Sequence, residues 1–242
     1  MNDSPSLADI FRQHTGRLVH KWSHYFPIYE RHLRSYRGTP IRVLEIGVFH
    51  GGSLQMWKRY FGEDATVVGV DIDPRCSGYA EDGIDIEIGD QSDPQFWRRL
   101  VERHGDFEVV IDDGSHVAAH QRASFLSLWP HLCDGGTYIV EDCHTAYWPE
   151  YGGGLNTGNS FVDFARGRID DLNALWWRDP QLARSRFTRE LGGLHFYDSM
   201  VVFEKKLRRR PPCEVVSGSF SHPVDEALRS RLDLYRGNAP ER

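Results

Sequence analysis

The chain has 242 residues, of which 40% are hydrophobic and 26% charged, and its formal net charge is −6. That length supports one sizeable α/β core with appendages, and the acidic balance excludes broad contact with nucleic acid or anionic membranes. No stretch approaches the roughly 18 apolar residues that a membrane span needs, so small-molecule chemistry is the expectation.

Cys76, Cys133, Cys143 and Cys213 show neither a C-x-x-C pair nor a regular spacing, so neither a cysteine zinc site nor a disulfide framework is indicated. The segment Met1-Asn2-Asp3-Ser4-Pro5 is not a basic stretch leading into an apolar one. The expectation from both is a cytoplasmic protein.

Residues 1–38 read as a separate helical cap. Leu7, Ile10 and Phe11 form one short apolar face, and Ile28, Tyr29, Leu33 and Tyr36 form another after Pro27. From Ile41 the pattern alternates strand, loop and helix, the signature of a parallel sheet covered on both faces. Strands are expected at 42–47, 66–71, 84–90 and 107–112, with a helix over 53–61 that sets Leu54, Trp57 and Phe61 on one side. Phe125, Leu128, Trp129 and Leu132 follow helical spacing, and Asp134-Gly135-Gly136 is expected to turn the chain into a fifth strand ending at Val140. Residues 149–190, rich in Gly, Asn, Arg and Trp, read as an insertion that closes over the pocket as a lid. His195 to Lys205 reads as strand, with Asp198-Ser199 as a tight turn between two antiparallel edge strands. The basic run from Lys205 to Arg210 is expected to be a solvated end, and 208–242 a peripheral tail.

Two strand ends carry the chemistry. Ile111-Asp112-Asp113-Gly114-Ser115-His116 and Ile139-Val140-Glu141-Asp142-Cys143-His144 are apolar runs that stop in paired acids with a histidine close behind. Adjacent central strands would deliver both acidic pairs to one carboxyl edge, where oxygen donors suit a hard divalent ion. From the residues alone, Asp112 and Asp113 are equivalent candidates, and an acidic turn with a helix cap explains the first run about equally well.

A nucleotide-like ligand is indicated by Glu45-Ile46-Gly47 at the first strand end and Gly51-Gly52-Ser53 opening a helix, which offer close backbone approach and helix-terminal N–H groups. The spacing is not G-x-G-x-x-G. Asp71, at the end of the next strand, is placed to accept hydrogen bonds from ribose hydroxyls, while Asp90 and Gln91 after the third strand are placed for an adenine edge. An adenosyl ligand without phosphates fits this set better than a dinucleotide.

With Leu44-Glu45-Ile46-Gly47-Val48, Gly51-Gly52-Ser53-Leu54, Gly69-Val70-Asp71-Ile72-Asp73-Pro74 and Gly89-Asp90-Gln91 in hand, the chain resembles class I S-adenosylmethionine-dependent methyltransferases. More narrowly, it is similar to the magnesium-dependent sugar O-methyltransferases of macrolide biosynthesis, over residues 41–205 and including His195-Phe196-Tyr197-Asp198-Ser199. The resemblance implies a Rossmann-like α/β fold, with a mostly parallel seven-stranded sheet, an antiparallel edge strand and helices on both faces, in a catalytic domain over 39–207. It implies S-adenosylmethionine bound by Glu45, Gly47, Gly51, Ser53, Asp71, Asp90, Gln91 and Asp112, and Mg2+ bound by Asp113, Glu141 and Asp142. It also implies His116 as general base, a glycoside as acceptor, and a homo-oligomer.

His144, Tyr147 and Trp148 are expected on a loop over the pocket, where aromatic faces would meet the sugar or aglycone. His120, four residues after His116, reads as a surface helix residue and not as a ligand. Two other classes stay open at this point: an iron oxygenase using Asp113, His116 and His144, and a non-catalytic adenosyl-binding subunit.

Overall fold

In a computed structural model of the chain, the structure describes residues 4–179, 181–208 and Glu226. The chain divides into two units, Met1–Leu207 and Arg208–Arg242. Cys213 and most of the tail expected at 208–242 lie outside the described residues.

The first unit opens with α1 (Leu7–Arg12), whose cap Ser6 accepts from Asp9 N–H, and α2 (Phe26–Leu33). Then follow β1 (Arg42–Ile46), α3 (Gly52–Phe61), β2 (Thr66–Asp71), β3 (Ile84–Ile88) and α4 (Pro94–His104). Helix α4 starts where its sequence says it should: the Asp93 side chain accepts from Gln95 N–H, Pro94 occupies the first turn, and Gly105 ends it. β4 (Phe107–Asp112), α5 (Ala118–Leu128), β5 (Leu132–Val140), α6 (Phe161–Asn173), α7 (Phe187–Glu190), β6 (Leu191–Tyr197) and β7 (Met200–Lys205) complete the unit.

The strands form one seven-stranded sheet in the order β3-β2-β1-β4-β5-β7-β6. β1 pairs parallel with β2 and β4, β2 with β3, and β4 with β5, whereas β7 runs antiparallel to both β5 and β6. The expected antiparallel pair at one edge is therefore present, with its reversed member between β5 and the outermost strand. Because the chain runs outward through β2 and β3 and then returns to the other side of β1, the crevice opens at the carboxyl ends of β1 and β4, where connections diverge.

Side-chain alternation divides the core between the two faces of the sheet. Val43, Val67, Val109, Ile111, Ile139 and Val202 join the layer containing Trp57, Tyr25 and Tyr29. Their neighbours Leu44, Val68, Val110, Tyr138, Val140 and Phe203 join the layer containing Trp97, Phe125 and Trp129. Leu7, Ile10 and Leu33 are wholly or almost wholly buried in the first layer, so the N-terminal helices share the main core.

Three expectations about these elements change. Asp134-Gly135-Gly136 lies inside β5, which begins at Leu132 and accommodates the glycines through a register shift against β4. In the 149–190 segment, Phe161, Ala165 and Phe187 pack into the second core layer, with α6 against β6 and α5, and no described residue of the segment lines the cavity. Lys205 is not solvated either. It is buried, and its Nζ donates to the carbonyls of Trp129, Pro130 and Leu132 at 2.9, 3.3 and 2.7 Å, satisfying acceptors at the end of the α5 turn.

Candidate active site

A cavity of about 520 Å³ opens at the carboxyl ends of β1, β2 and β4. Gly47, Ser53, Asp71, Asp90, Gln91, Asp113, His116 and Asp142 all line it, together with His120 and the N-terminal segment Leu18–Lys21.

The glycine turn is a steric requirement. Gly47 has φ +95°, and a Cβ there would stand 2.1 Å from the backbone oxygen of Asp113. The missing side chain thus lets the β1 and β4 ends close on each other. Asp71 braces the same turn: one oxygen accepts from Val48 N–H at 2.9 Å and Phe49 N–H at 3.1 Å, and the other accepts from Asp73 N–H at 2.9 Å. Its carboxylate is at once part of the pocket wall and a clamp on the loop.

Gln91 clamps the second acidic run. Its Oε1 accepts from Ser115 N–H at 2.6 Å, while its Nε2 donates to Asp112 at 3.2 Å and Ser124 at 3.0 Å. Asp90, with its oxygen held by Ser92 N–H at 2.7 Å, stays at the exposed rim, and that hydrogen bond lowers its pKa.

Among the described residues, one group of potential metal ligands at this cavity brings together Asp113, His116 and Asp142, with ligand atoms all within 4.8 Å of one another. His116 Nε2 is 3.9 Å from Asp113 and 3.7 Å from Asp142. Its Nδ1 is buried without a hydrogen-bond partner. Both His116 and Asp142 hold left-handed backbone, with φ +57° and +53°, a conformation that side chains other than glycine adopt at a cost and that clusters at functional sites.

Lys21 is the residue that sequence reasoning missed. Its side chain is 2% exposed, and Nζ donates to Asp113 at 2.7 Å, to Glu141 at 3.0 and 3.1 Å, and to Glu45 at 3.2 Å. Burial opposes its charge, but the carboxylates of Asp113, Glu141 and Glu45 outweigh that and hold its pKa well above the ordinary lysine value. A lone lysine in a segment without periodicity carries no sequence signal. Tyr25 and Tyr29 are the second omission: Tyr25 OH donates to Asp142 at 2.7 Å, and Tyr29 OH donates to Glu141 at 2.6 Å. Their four-residue spacing on one helical face was the available clue.

Four of the expected contacts are not among the residues that line the cavity. Glu45 is wholly buried and accepts from Lys21, from Ser53 Oγ at 2.6 Å and from Trp57 Nε1 at 3.0 Å, so it braces the pocket from beneath. Asp112 is also wholly buried, and burial pushes its pKa up to about 7. Gly51 is not part of the cavity wall; it turns the chain into α3 with φ +75°. Glu141, expected beside Asp113 and Asp142 on the ion, is fastened to Lys21 and Tyr29 and does not belong to the three-ligand group. Burial and Asp113 push its pKa up. The Lys21 ammonium and the Tyr29 hydroxyl, which donate to it, oppose that rise.

None of the three residues expected near the acceptor lines the cavity. His144 Nδ1 lies 2.5 Å from Ser199 Oγ, and its ring meets Trp148 and Trp22 edge-on at centroid distances of 5.0 and 6.3 Å. Tyr147 and Trp148 are exposed. His120 reaches the cavity, tied to Ser115 Oγ at 3.0 Å.

No protein-family model matches the chain. It is 40% identical over 210 residues, 82% of this chain and 53% of the relative, to the 8-demethyl-8-(2-methoxy-alpha-L-rhamnosyl)-tetracenomycin-C 3'-O-methyltransferase of Streptomyces olivaceus. It is 39% identical over 215 residues, 83% of this chain and 53% of the relative, to the demethylmacrocin O-methyltransferase of Streptomyces fradiae. Among solved structures it is similar to the MycE methyltransferase of the mycinamycin biosynthetic pathway, in complex with Mg, SAH and mycinamycin VI. The TM-score is 0.79 at 32% identity, covering 96% of this chain and 60% of that one. The chain spans about half the length of the curated relatives it matches. The chain therefore shares the class I methyltransferase fold with these O-methyltransferases, to which it is similar over 82–96% of its own length and 53–60% of theirs.

Proposed function

We propose that this chain transfers a methyl group from S-adenosylmethionine to a sugar hydroxyl of a glycosylated natural product, with Mg2+ at the reacting end of the cavity. The observation that carries the reading is the convergence of Asp113, His116 and Asp142 on the cavity bounded by the Gly47 turn. The relatives support the acceptor class, since they are named as O-methyltransferases of a rhamnosyl-tetracenomycin, of demethylmacrocin and of L-olivosyl-oleandolide.

The donor set fits magnesium. Two carboxylates facing a partly open cavity leave coordination positions for water and substrate oxygens, as a hard, octahedral ion requires. Asp113 and Asp142 would hold it, and Glu141 would join them if Lys21 withdrew. When bound, the ion lowers the cost of deprotonating a sugar hydroxyl and orients neighbouring oxygens.

The chain's own residues supply the rest. Gly47 and Asp71 shape the wall against which the adenosyl donor sits, with Ser53, Asp90 and Gln91 around it. His116 Nε2, the nitrogen facing the two carboxylates, takes the proton from the hydroxyl. The oxygen forms its bond to the methyl carbon as the carbon–sulfur bond breaks, and the electron pair leaves on sulfur as a neutral thioether. His144, Tyr147 and Trp148 offer ring faces to the sugar or its aglycone.

The oxygenase reading loses support because His144 lies outside the group formed by Asp113 and His116. A binding subunit without activity has no use for that group and is at odds with the enzymatic names of the relatives. Self-association, through exposed Trp22 on the N-terminal segment and Trp176 and Leu182 in the 149–190 segment, is part of the proposal. So is residence in the cytoplasm, which suits the free Cys76, Cys133 and Cys143.

Incubation with labelled S-adenosylmethionine and a panel of glycosides, followed by mass analysis, tests the reading. One added methyl on a sugar is expected, abolished by chelator and restored by Mg2+. The His116→Ala variant is expected to lose about 10²- to 10⁴-fold in kcat while retaining SAH affinity. Oxygen-dependent turnover with iron, or methyl transfer indifferent to His116, would overturn it.

A further inference from the structure

A second polar cluster lies on the β6–β7 edge, and none of its residues lines the cavity. His32, near the end of α2, is buried, with Nδ1 2.9 Å from Glu204 Oε1 and Nε2 2.9 Å from the hydroxyl of Tyr197. His195 brings Nε2 to 3.4 Å from the same carboxylate oxygen, yet that nitrogen is shielded from solvent and makes no hydrogen bond. The three ligand atoms lie within 4.8 Å of one another.

The strand register leaves room beside them. Gly193 lies on the same face of β6 as His195 and directly opposite Glu204. A Cβ at Gly193 would fall 2.7 Å from Glu204 Oε2 and 3.2 Å from His195 Nε2. Glycine thus keeps open a small volume next to an otherwise unsatisfied imidazole nitrogen.

The spacing is that of a coordination shell. Ligands about 2.0–2.1 Å from a tetrahedral ion stand about 3.3 Å from each other, and the two separations to Glu204 Oε1 bracket that value. Two imidazoles and one carboxylate favour borderline transition ions over magnesium or calcium. Tyr197 supplies the outer partner that a ligating imidazole needs: with Nδ1 on the ion, the Nε2–H of His32 donates to the tyrosine oxygen.

We propose that His32, His195 and Glu204 bind one zinc-class divalent ion that fastens α2 to the β6–β7 edge, apart from the reaction centre. The consequence reaches that centre mechanically. Tyr29, one turn before His32 on α2, donates to Glu141, so an ion at His32 fixes the helix that carries this hydrogen bond.

The test is zinc titration of the full chain after chelator treatment, against a chromophoric competitor and with Mg2+ in excess, alongside the visible spectrum of the Co2+-loaded protein. One equivalent of zinc is expected, with the intense bands of four-coordinate cobalt and a raised Tm. His195→Ala is expected to weaken zinc binding about 100-fold or more, and Tyr197→Phe about tenfold. Gly193→Ala should also weaken it, by crowding the site, and Asp113→Asn should leave it unchanged. If His195→Ala does not fold, Glu204→Gln carries the same expectation at a part-exposed position. No zinc retained by the wild type, equal affinity in the wild type and the ligand variant, or binding lost only with Asp113→Asn would each overturn the proposal.

Discussion

Lys21 and Glu141 meet beneath the cavity, with Nζ 3.0 Å from one carboxylate oxygen and 3.1 Å from the other, both side chains at most 2% exposed. The same ammonium also neutralises Asp113 and Glu45, so one positive charge is shared by three carboxylates. Lys21→Met should therefore destabilise the fold by about 3–5 kcal/mol, because it leaves buried acids uncompensated. Urea unfolding at neutral pH measures this, and an unchanged midpoint would mean that the acids hydrate or protonate freely.

Asp112 gives a pH dependence with a definite sign. Its folded pKa is raised to about 7 by burial, whereas the unfolded carboxyl titrates near 3.8. Between those values the folded state holds a proton that the unfolded state has released, so this group's contribution is complete below about pH 4 and is lost as pH rises through about 7. Asp112→Asn should flatten that part of the stability profile and, by pH 8, exceed the wild type by a few kcal/mol, about 4 at most. Chemical denaturation across pH 4–8 checks it; parallel profiles would refute the assignment.

Gly47→Ala should separate the β1 and β4 ends. The added methyl meets the Asp113 carbonyl at 2.1 Å, and alanine resists φ +95°. SAH affinity, by calorimetry, is expected to fall at least about tenfold, or 1.4 kcal/mol. Unaltered affinity would show that the donor does not depend on this approach.

Tyr25→Phe removes the hydroxyl that donates to Asp142 at 2.7 Å. A stability loss of about 1–2 kcal/mol is expected. The Mg2+ concentration needed for half-maximal turnover should rise several-fold, with kcat much less affected, since Asp142 would lose its fixed orientation while His116 keeps its own. A fall in kcat alone would assign Tyr25 a different role.

The main strands were legible because each is an apolar run closed by acids or glycine. The two acidic strand ends were legible because parallel strands must end on one edge, whereas the choice of Asp113 over Asp112 and the role of His116 came from the resemblance. The packing of 149–190 was not legible, because nothing in its composition shows that Phe161 and Phe187 enter the second core layer with α6 against β6. Glu45 and Asp112 looked like ligand contacts because they flank the right turns, but strand alternation points both side chains into buried layers.

Sequence by itself determined the sheet, its acidic carboxyl edge and the glycine turn, since these follow from local periodicity and strand ends. Only the tertiary structure decided which acids are free and which are neutralised. Lys21 is 24, 92 and 120 residues from Glu45, Asp113 and Glu141, and contacts over such separations arise from topology, which no local pattern encodes.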